Sequence, residues 1–270
     1  MGWEVTLASL FWQTLQAWRQ AWWTWVAILA LLSLAVEALY PGLGDDLFAT
    51  SGLVTGLLRF LHLMSGRPLV NVPVADWIQT AGFEVFFALG VAIFAIWMGS
   101  RLLAGEREKK TLALLLAYPR ARQWFLLETI AALFVAVLAL AAALWALLAV
   151  GAGFFHLTLS PGGLAAAAGQ LFFFALAFGS LAMALSLWSG SARLGCLGAL
   201  AALLLAYLAY AAPSFSDGLA WLRQFSPLSF AFGNQPLVNG FALGGSLSLL
   251  AMSVACFGLS GVGFERLDLA

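Results

Sequence analysis

Three glutamates are the residues of this chain whose chemistry is least expected from their surroundings, because they lie in or near long apolar runs. They are Glu37, Glu84 and Glu128. If these runs cross a bilayer, a charge at its centre costs at least about 2.5–3.5 kcal/mol, and less near an interface. Depth therefore decides what each carboxylate can do. Glu37 and Glu128 lie near the ends of their runs, which favours an interfacial position for both.

Glu84 lies one or two turns inside its run, where a carboxylate requires a compensating partner or a function. It could line a path through the membrane, or it could form a hydrogen-bonded contact between two helices, and the sequence leaves both roles open. Gln170 lies in a similar position in another apolar run and has the same two alternatives. Glu84 and Gln170 are therefore the candidate path residues.

The familiar catalytic and metal-binding patterns are absent from the sequence. It contains no G-x-S-x-G, no H-E-x-x-H and no pair of aspartates inside an apolar run. His62 and His156 stand alone, and Cys196 and Cys256 both lie in apolar runs, as small buried residues do. No G-x-x-x-x-G-K-S/T occurs either, so we expect no ATP-binding loop in this chain. The sequence thus predicts neither catalysis nor a bound metal.

Composition predicts a membrane protein. Of the 270 residues, 63% are hydrophobic and 9% are charged, and the mean hydropathy is +0.99. Soluble domains have about 25% charged residues, so this chain cannot present a water-soluble surface. The formal net charge is zero, which gives no overall positive field that would attract nucleic acid. We therefore expect an integral membrane protein that binds no nucleic acid.

Six apolar segments are long enough to cross a membrane, since a spanning helix needs roughly 20 apolar residues. They cover residues 22–40, 79–100, 123–150, 163–188, 194–212 and 243–263. The predicted fold class is all-α, with residues 1–270 forming a single membrane domain. Small side chains in two segments predict close helix packing. They are Gly169, Gly179, Ser180 and Ala184 in span four, and Ser253, Gly258 and Gly261 in span six.

A basic segment between spans two and three fixes the predicted topology. Residues 101–122 hold six of the twelve lysines and arginines, offset only by Glu106 and Glu108. Basic loops of this length remain on the cytoplasmic side of a membrane. With this segment inside, six spans place both termini in the cytoplasm, together with nine of the twelve basic residues. We expect a multi-pass protein of the prokaryotic inner membrane.

Three segments outside the spans also have a predicted place. Residues 1–21 are predicted to form an amphipathic helix in the membrane interface, because glutamines occupy one face and apolar side chains the other. Residues 41–78 and 213–242 are predicted to be extracytoplasmic. Glycine and two prolines in the sequence SPLSFAFGNQP exclude one continuous span in the second of these segments.

The basic segment also has the pattern that indicates a family. After its charge cluster come TLALLLA and the pair Tyr118-Pro119, and Pro119 both ends one helix and begins the next. The order of an acidic residue, a Thr-Leu step, a leucine run and this proline resembles the signature between spans two and three of ABC-2 type permeases. Ser226-Pro227 and residues 264–269 resemble the same family. One departure is Lys110, which stands where the family usually has glycine.

The resemblance implies a type V exporter-like permease fold and a role as permease subunit of an ABC transporter. The basic segment would then be a coupling helix on a nucleotide-binding partner, and the turn before span five a second, smaller contact. The residues given this coupling role are Arg101, Glu106, Arg107, Glu108, Lys109, Lys110, Thr111, Pro119, Arg120, Ser191 and Arg193. Two ATPase subunits would bind ATP and Mg²⁺, so this chain itself would hold no cofactor and would not be an enzyme.

The remaining expected partners are a second permease copy, identical or related, and membrane lipid. Spans two and five would line the path if the family pattern holds, and the apolar composition favours export of a lipophilic or amphipathic substrate. Two alternatives stay open. The basic segment could be a plain positive-inside anchor, and the chain could be a membrane scaffold or assembly protein that holds a soluble partner without moving a substrate.

Overall fold

The structure is a computed structural model, and it describes residues 5–42, 52–65, 73–102 and 122–265. Helices make up nearly all of these residues, and no strand occurs among them. Lipid explains the preference, because a spanning chain must satisfy its backbone hydrogen bonds within itself. The six helices long and apolar enough to cross a membrane are Arg19–Tyr40, Val74–Leu102, Leu126–Phe154, Pro161–Ser189, Ala192–Ser214 and Leu243–Phe264. The predicted six-span, all-α class is confirmed.

The first span is part of a longer helix, Val5–Gly42, of 38 residues. The predicted interfacial segment therefore continues into span one without a break. The sequence between residues 3 and 40 contains neither glycine nor proline, so nothing in it would interrupt a helix. At 1.5 Å per residue the helix is about 57 Å long, roughly twice the thickness of the hydrocarbon core. Its first turns therefore extend beyond that core.

Successive spans run in opposite directions, which gives the bundle two distinct ends. We call the end that holds Tyr40 and Pro161 the capped end, and the end that holds Arg101, Ser189 and Arg193 the basic end. At the capped end the indole Nε1 of Trp77 donates a hydrogen bond to the carbonyl of Val36, over 2.8 Å. At the basic end Nε1 of Trp188 donates to the carbonyl of Leu259, over 3.1 Å.

Spans two and four form the centre of the bundle. They are the most enclosed of the six spans and pack on each other more extensively than any other pair of described helices. Spans one, three, five and six surround them and turn apolar side chains outward, among them Leu31, Val150, Leu204 and Leu243. Lipid solvates such faces, so the exposure is consistent with a membrane protein.

Two glycines allow the central helices to approach each other closely. A Cβ added to Gly99 would collide with the carbonyl oxygen of Gly179. A Cβ added to Gly179 would lie 3.1 Å from the carbonyl oxygen of Ala95. The predicted packing role of Gly179 is thus confirmed, as in other membrane helix pairs with small residues at the crossing. Gly258 differs, because no atom of the described chain lies within 4 Å of a Cβ added there.

Short helices cover the capped end. Gly52–Ser65 packs against spans two and five. Span five ends in a turn of 3₁₀-helix, and a second such turn and three short α-helices follow it, which confirms that no continuous span occupies this segment. Their bounds are Ala212–Ser214, Asp217–Leu219, Ala220–Phe225, Pro227–Phe232 and Pro236–Asn239. Proline begins two of these α-helices, where its missing N–H is not needed.

Backbone contacts hold this segment on the spans. The hydroxyl of Ser226 donates to the carbonyl of Ala206 over 2.7 Å and accepts the N–H of Leu228 over 3.3 Å. The first bond ties the segment to span five, and the second caps the helix Pro227–Phe232. Further along, Gly245 lies directly against the carbonyl of Phe230. The part of the segment from Ser226 to Leu237 is therefore packed on the bundle.

We predict that Gly99→Ala destabilises the protein by about 1–3 kcal/mol, because the new methyl group meets rigid backbone rather than a movable side chain. The thermal unfolding midpoint in detergent should fall by about 2–10 °C. Gly258→Ala is the matched control, since it also replaces a glycine in a spanning helix but adds its methyl group to open space. A midpoint for Gly99→Ala equal to that of the control would contradict the close crossing.

Candidate functional site

The basic end contains the described part of the predicted coupling surface. Arg101 lies in the last turn of span two and has an exposed side chain, and its guanidinium carbon lies 5.0 Å from the centre of the Trp97 ring. Arg193 is exposed in the first turn of span five. The other coupling residues of the basic segment lie outside the described residues: Glu106, Arg107, Glu108, Lys109, Lys110, Thr111, Pro119 and Arg120.

The turn between spans four and five is short and tightly built. Span four ends at Gly190, whose φ of 69° belongs to the left-handed region that glycine adopts without strain. Ser191 follows at the N-cap of span five, and its carbonyl accepts a hydrogen bond from the hydroxyl of Ser189 over 3.2 Å. The backbone of Ser186 lies close against Gly195, which leaves no space for a Cβ there. Ser191 and Arg193 are therefore presented by a rigid turn.

Glu84 lies in the interior of the chain rather than on a surface. Only 1% of its surface is exposed, and the hydroxyl of Tyr210 donates a hydrogen bond to its Oε2 over 3.0 Å. The hydroxyl of Tyr207 lies 3.0 Å from the carbonyl oxygen of the same residue. Of the two roles left open by the sequence, this geometry corresponds to a hydrogen-bonded contact between spans two and five. The path role of Glu84 stays a prediction.

A cation extends this contact to the segment over the capped end. The guanidinium carbon of Arg223, in the helix Ala220–Phe225, lies 4.3 Å from the centre of the Tyr210 ring. Such a position over an aromatic face is favourable, more so where water is partly excluded. Arg223, Tyr210 and Glu84 thus form a series of contacts from the capped end into span two. No local pattern singled out Tyr207 or Tyr210, since both lie in an apolar run far from Glu84 in sequence.

Gln170 has a defined structural partner. Its side chain is fully buried, and its Nε2 donates to the carbonyl of Ala242 over 2.8 Å. Gln79 in span two is equally buried, and its Oε1 accepts the N–H of Leu237 over 3.1 Å. Two amides therefore hold the two ends of the stretch from Leu237 to Ala242, one from span four and one from span two. Gln79 was not among the predicted site residues, because it occupies the first position of the predicted span 79–100, where a polar side chain is not unusual.

Both glutamines keep part of their hydrogen-bonding capacity unused within the described chain. The amide nitrogen of Gln79 and the amide oxygen of Gln170 are buried there without a partner. Leaving a buried polar atom unpaired costs about 1–3 kcal/mol. The hydrogen bonds that the two amides form to the backbone, together with the packing around them, must therefore offset this cost. The path role of Gln170 stays a prediction.

The other two glutamates differ in their surroundings. Glu37 lies near the end of span one, as expected, but its side chain is fully buried and points at Gly151 of span three rather than at the interface. Neither carboxylate oxygen has a hydrogen-bond partner in the part of the chain that the structure describes. Glu128 is half-buried near the basic end of span three. Glu37 therefore faces span three inside the bundle. Its interfacial depth stays a prediction, because the depth of a residue along a span and the direction of its side chain are separate properties.

Metal ligands are not gathered into a site within the described ranges. No group of three or more histidine, cysteine, aspartate or glutamate side chains lies together there. His62 and His156 are both exposed. Cys196 and Cys256 lie in spans five and six, the first half-buried and the second buried.

We predict that Gln79→Leu loosens the stretch Leu237 to Ala242, because the buried N–H of Leu237 loses its acceptor. Amide hydrogen exchange of residues 236–242 in detergent should become about 5–10-fold faster, which corresponds to the loss of one buried hydrogen bond. Gln224→Leu is a suitable control, since Gln224 is exposed in the same capping segment. Unchanged exchange in Gln79→Leu would show that packing alone holds the stretch.

Comparison with known proteins decides the family. No curated protein matches the chain. The sequence profile described as ABC-2 family transporter protein matches residues 8–269, nearly the whole chain. The resemblance drawn from the basic segment is thereby confirmed. Six helices can span a membrane, and the match covers nearly all of the chain. The chain therefore belongs to the ABC-2 family: it is a multi-pass transmembrane permease component of an ABC transporter and is not itself catalytic.

Proposed function

We propose that this chain is the permease subunit of an exporter in a prokaryotic inner membrane, and that it moves a lipophilic or amphipathic substrate using ATP hydrolysed by a separate subunit. The family match over residues 8–269 is the observation on which the proposal depends. Members of the family generally work with an ABC ATPase subunit. The sequence contains no G-x-x-x-x-G-K-S/T, so the energy must come from such a partner.

A narrow surface of span two supports the proposed path. Most of this span is enclosed, but a stripe of side chains at intervals of four residues is partly or fully exposed. It consists of Leu89, Ile93, Trp97 and Arg101. Residues four apart lie on one face of a helix, so the stripe runs from the middle of the span to the basic end. We call it the span-two stripe.

Two other spans pack on the part of span two that carries the span-two stripe. Span one packs beside it, where Trp25 meets Phe94 edge-to-face with ring centres 5.9 Å apart. Span five packs on span two as well and turns leucines outward, including Leu197 and Leu204. An apolar groove between spans one and five would accept the hydrocarbon part of a substrate. A second permease copy, identical or related, would close the groove into a path.

The basic end provides the surface on which the ATPases act in this proposal. The segment that follows Arg101 and the rigid turn with Ser191 and Arg193 would contact two ATPase subunits, which bind ATP and Mg²⁺. Span two leads directly into the first contact and is packed on span four at Gly99 and Gly179. Movement of the segment would therefore pass to both central spans together, since packed helices shift as units rather than deform continuously.

We predict that a cysteine in the span-two stripe reacts with a charged thiol reagent, because a path must admit water. Ile93→Cys, in a chain with Cys196→Ala and Cys256→Ala, should react at least about 10-fold faster than Val254→Cys, whose side chain is exposed on span six. The measurement uses the complex with its ATPase partner, with and without ATP. Equal and slow rates at both positions would exclude an aqueous path at Ile93 and would favour the scaffold alternative.

We predict that charge reversal in the basic segment uncouples ATP hydrolysis from transport. In Glu106→Lys or Arg107→Glu, the complex should still hydrolyse ATP, but transport into proteoliposomes should fall at least about 10-fold, because the permease no longer receives the motion. Arg59→Glu is the control, as Arg59 is an exposed residue of the helix Gly52–Ser65 at the capped end. A normal ratio of substrate moved to ATP hydrolysed in the Glu106 and Arg107 variants would refute the coupling role.

A further inference from the structure

Span two contains a long π-helical stretch in its capped-end half. The stretch covers ten residues, Ile78–Phe87, whereas π-helices in proteins are mostly single-turn bulges, often at functional sites. No proline interrupts it, so an α-helix would satisfy the same backbone groups in lipid. Tertiary contacts must therefore favour the π-helical register in this state of the protein.

The side chains inside the stretch fit the wider helix. Gly82 and Phe87 are five residues apart, the spacing that one turn of π-helix brings together. A Cβ on Gly82 would lie 2.6 Å from the Phe87 ring, so the absence of a side chain makes room for that ring. Phe87 also packs edge-to-face on Phe83, with ring centres 5.4 Å apart. Glycine at position 82 thus permits a register that a larger residue would oppose.

Hydrogen bonds from three different elements hold the stretch at both of its ends. Trp77, immediately before it, bonds to the carbonyl of Val36 in span one. Gln79 accepts the N–H of Leu237 from the segment over the capped end. At the other end, the hydroxyl of Tyr207 in span five lies 3.0 Å from the carbonyl oxygen of Glu84 and 3.3 Å from that of Val85.

We propose that the stretch Ile78–Phe87 is the joint at which span two changes register when the path opens at the capped end, and that Tyr207 is the positioning residue that holds the closed register. The proposal rests on the proposed permease function, because only a path has to open. Tyr207 is buried and bonds to backbone carbonyls, so it stabilises the course of the helix itself.

A change of register at this joint has a large effect on the capped end. Converting the stretch towards an α-helix by one residue would turn Val74–Trp77 by about 100° and move it by about 1.5 Å relative to Ala88–Leu102. Trp77 and Gln79 would then lose their bonds to Val36 and Leu237. The short helices over the capped end would be released, while the half of span two that leads to the basic end kept its packing on span four. Two discrete registers of one helix form the kind of two-state element on which conformational switching depends.

Two tyrosines one turn apart provide a matched pair of variants. Tyr207→Phe removes a hydroxyl bonded to the backbone of Glu84, and Tyr210→Phe removes one bonded to the carboxylate of the same residue. Both changes delete a single oxygen atom from a buried ring in span five. Only the first removes support from the backbone register.

The experiment is amide hydrogen exchange on the purified chain in lipid nanodiscs. In Tyr207→Phe we expect at least about 5-fold faster exchange in residues 84–90 and also in residues 236–242, which lie in a different segment. In Tyr210→Phe we expect less than about 2-fold change in both regions. Faster exchange of residues 84–90 alone, or equal effects of the two variants, would overturn the proposal, because either result describes local support without a joint.

A reducible cross-link tests the same joint in a way that does not depend on the folding of a tyrosine variant. Gln79→Cys with Leu237→Cys, in a chain with Cys196→Ala and Cys256→Ala, places one thiol on each of the two elements that the hydrogen bond from the Leu237 N–H to Oε1 of Gln79 joins. Cross-linking with 1,2-ethanediyl bismethanethiosulfonate, which bridges two thiols that are too far apart for a direct disulfide, should reduce ATP-driven transport at least about 10-fold while the ATPase stays bound, and a reducing agent should restore it. Full transport by the cross-linked complex would overturn the joint. If the complex moved no substrate before cross-linking, the proposed function would be wrong. The hydrogen-exchange experiment does not measure transport, so it tests the joint separately from the proposed function.

Discussion

Backbone hydrogen bonding in lipid is the constraint on which this structure depends. A bilayer offers no water to an unpaired N–H or C=O group, so each segment within it must be helical or must find partners in the rest of the chain. The six spans meet the requirement as helices. The interruptions meet it through side chains: Ser226 bonds to the carbonyl of Ala206, Gln170 to that of Ala242, and Tyr207 to that of Glu84. Most of the buried polar side chains described above have this task.

Span two connects the basic end of the bundle to the capped end. Its basic-end half crosses span four at Gly99 so closely that backbone meets backbone, and this half leads into the predicted coupling segment. Its capped-end half is π-helical and is bonded to span one, span five and the capping segment. A rigid half and an adaptable half in one helix suit a subunit that receives motion at one end and changes access at the other.

The polar residues inside the bundle have different relations to the proposed path. Glu84 and Gln170 face other parts of the same chain and are enclosed, whereas the exposed face of span two is apolar as far as Arg101. An apolar groove interacts with a substrate through burial of hydrocarbon, which is proportional to area and demands little shape specificity. Selection by a permease of this kind would then depend on the size of the groove and on the cation at its basic end.

Local properties of the sequence were enough to assign the class of this protein. Hydropathy over some twenty residues is a local property, so six spans, their order and the basic segment after Arg101 were all predictable. The family match over residues 8–269 uses the same local information. Continuity of the first helix was also predictable, since residues 3–40 lack glycine and proline. The polarity of Gln170 was enough to select it, but not to name its partner.

Tertiary structure alone decided the partners and the register. Tyr210 and Glu84 are 126 residues apart in sequence, and Gln79 and Leu237 are 158 apart, so no pattern along the chain relates them. The direction of Glu37 towards Gly151 depends on how spans one and three are rotated against each other. The π-helical stretch was equally invisible, because a sequence without proline fits both helix types and only contacts from other spans choose between them. Local hydrophobicity specifies which segments enter the membrane, and packing between distant segments specifies what each buried side chain does there.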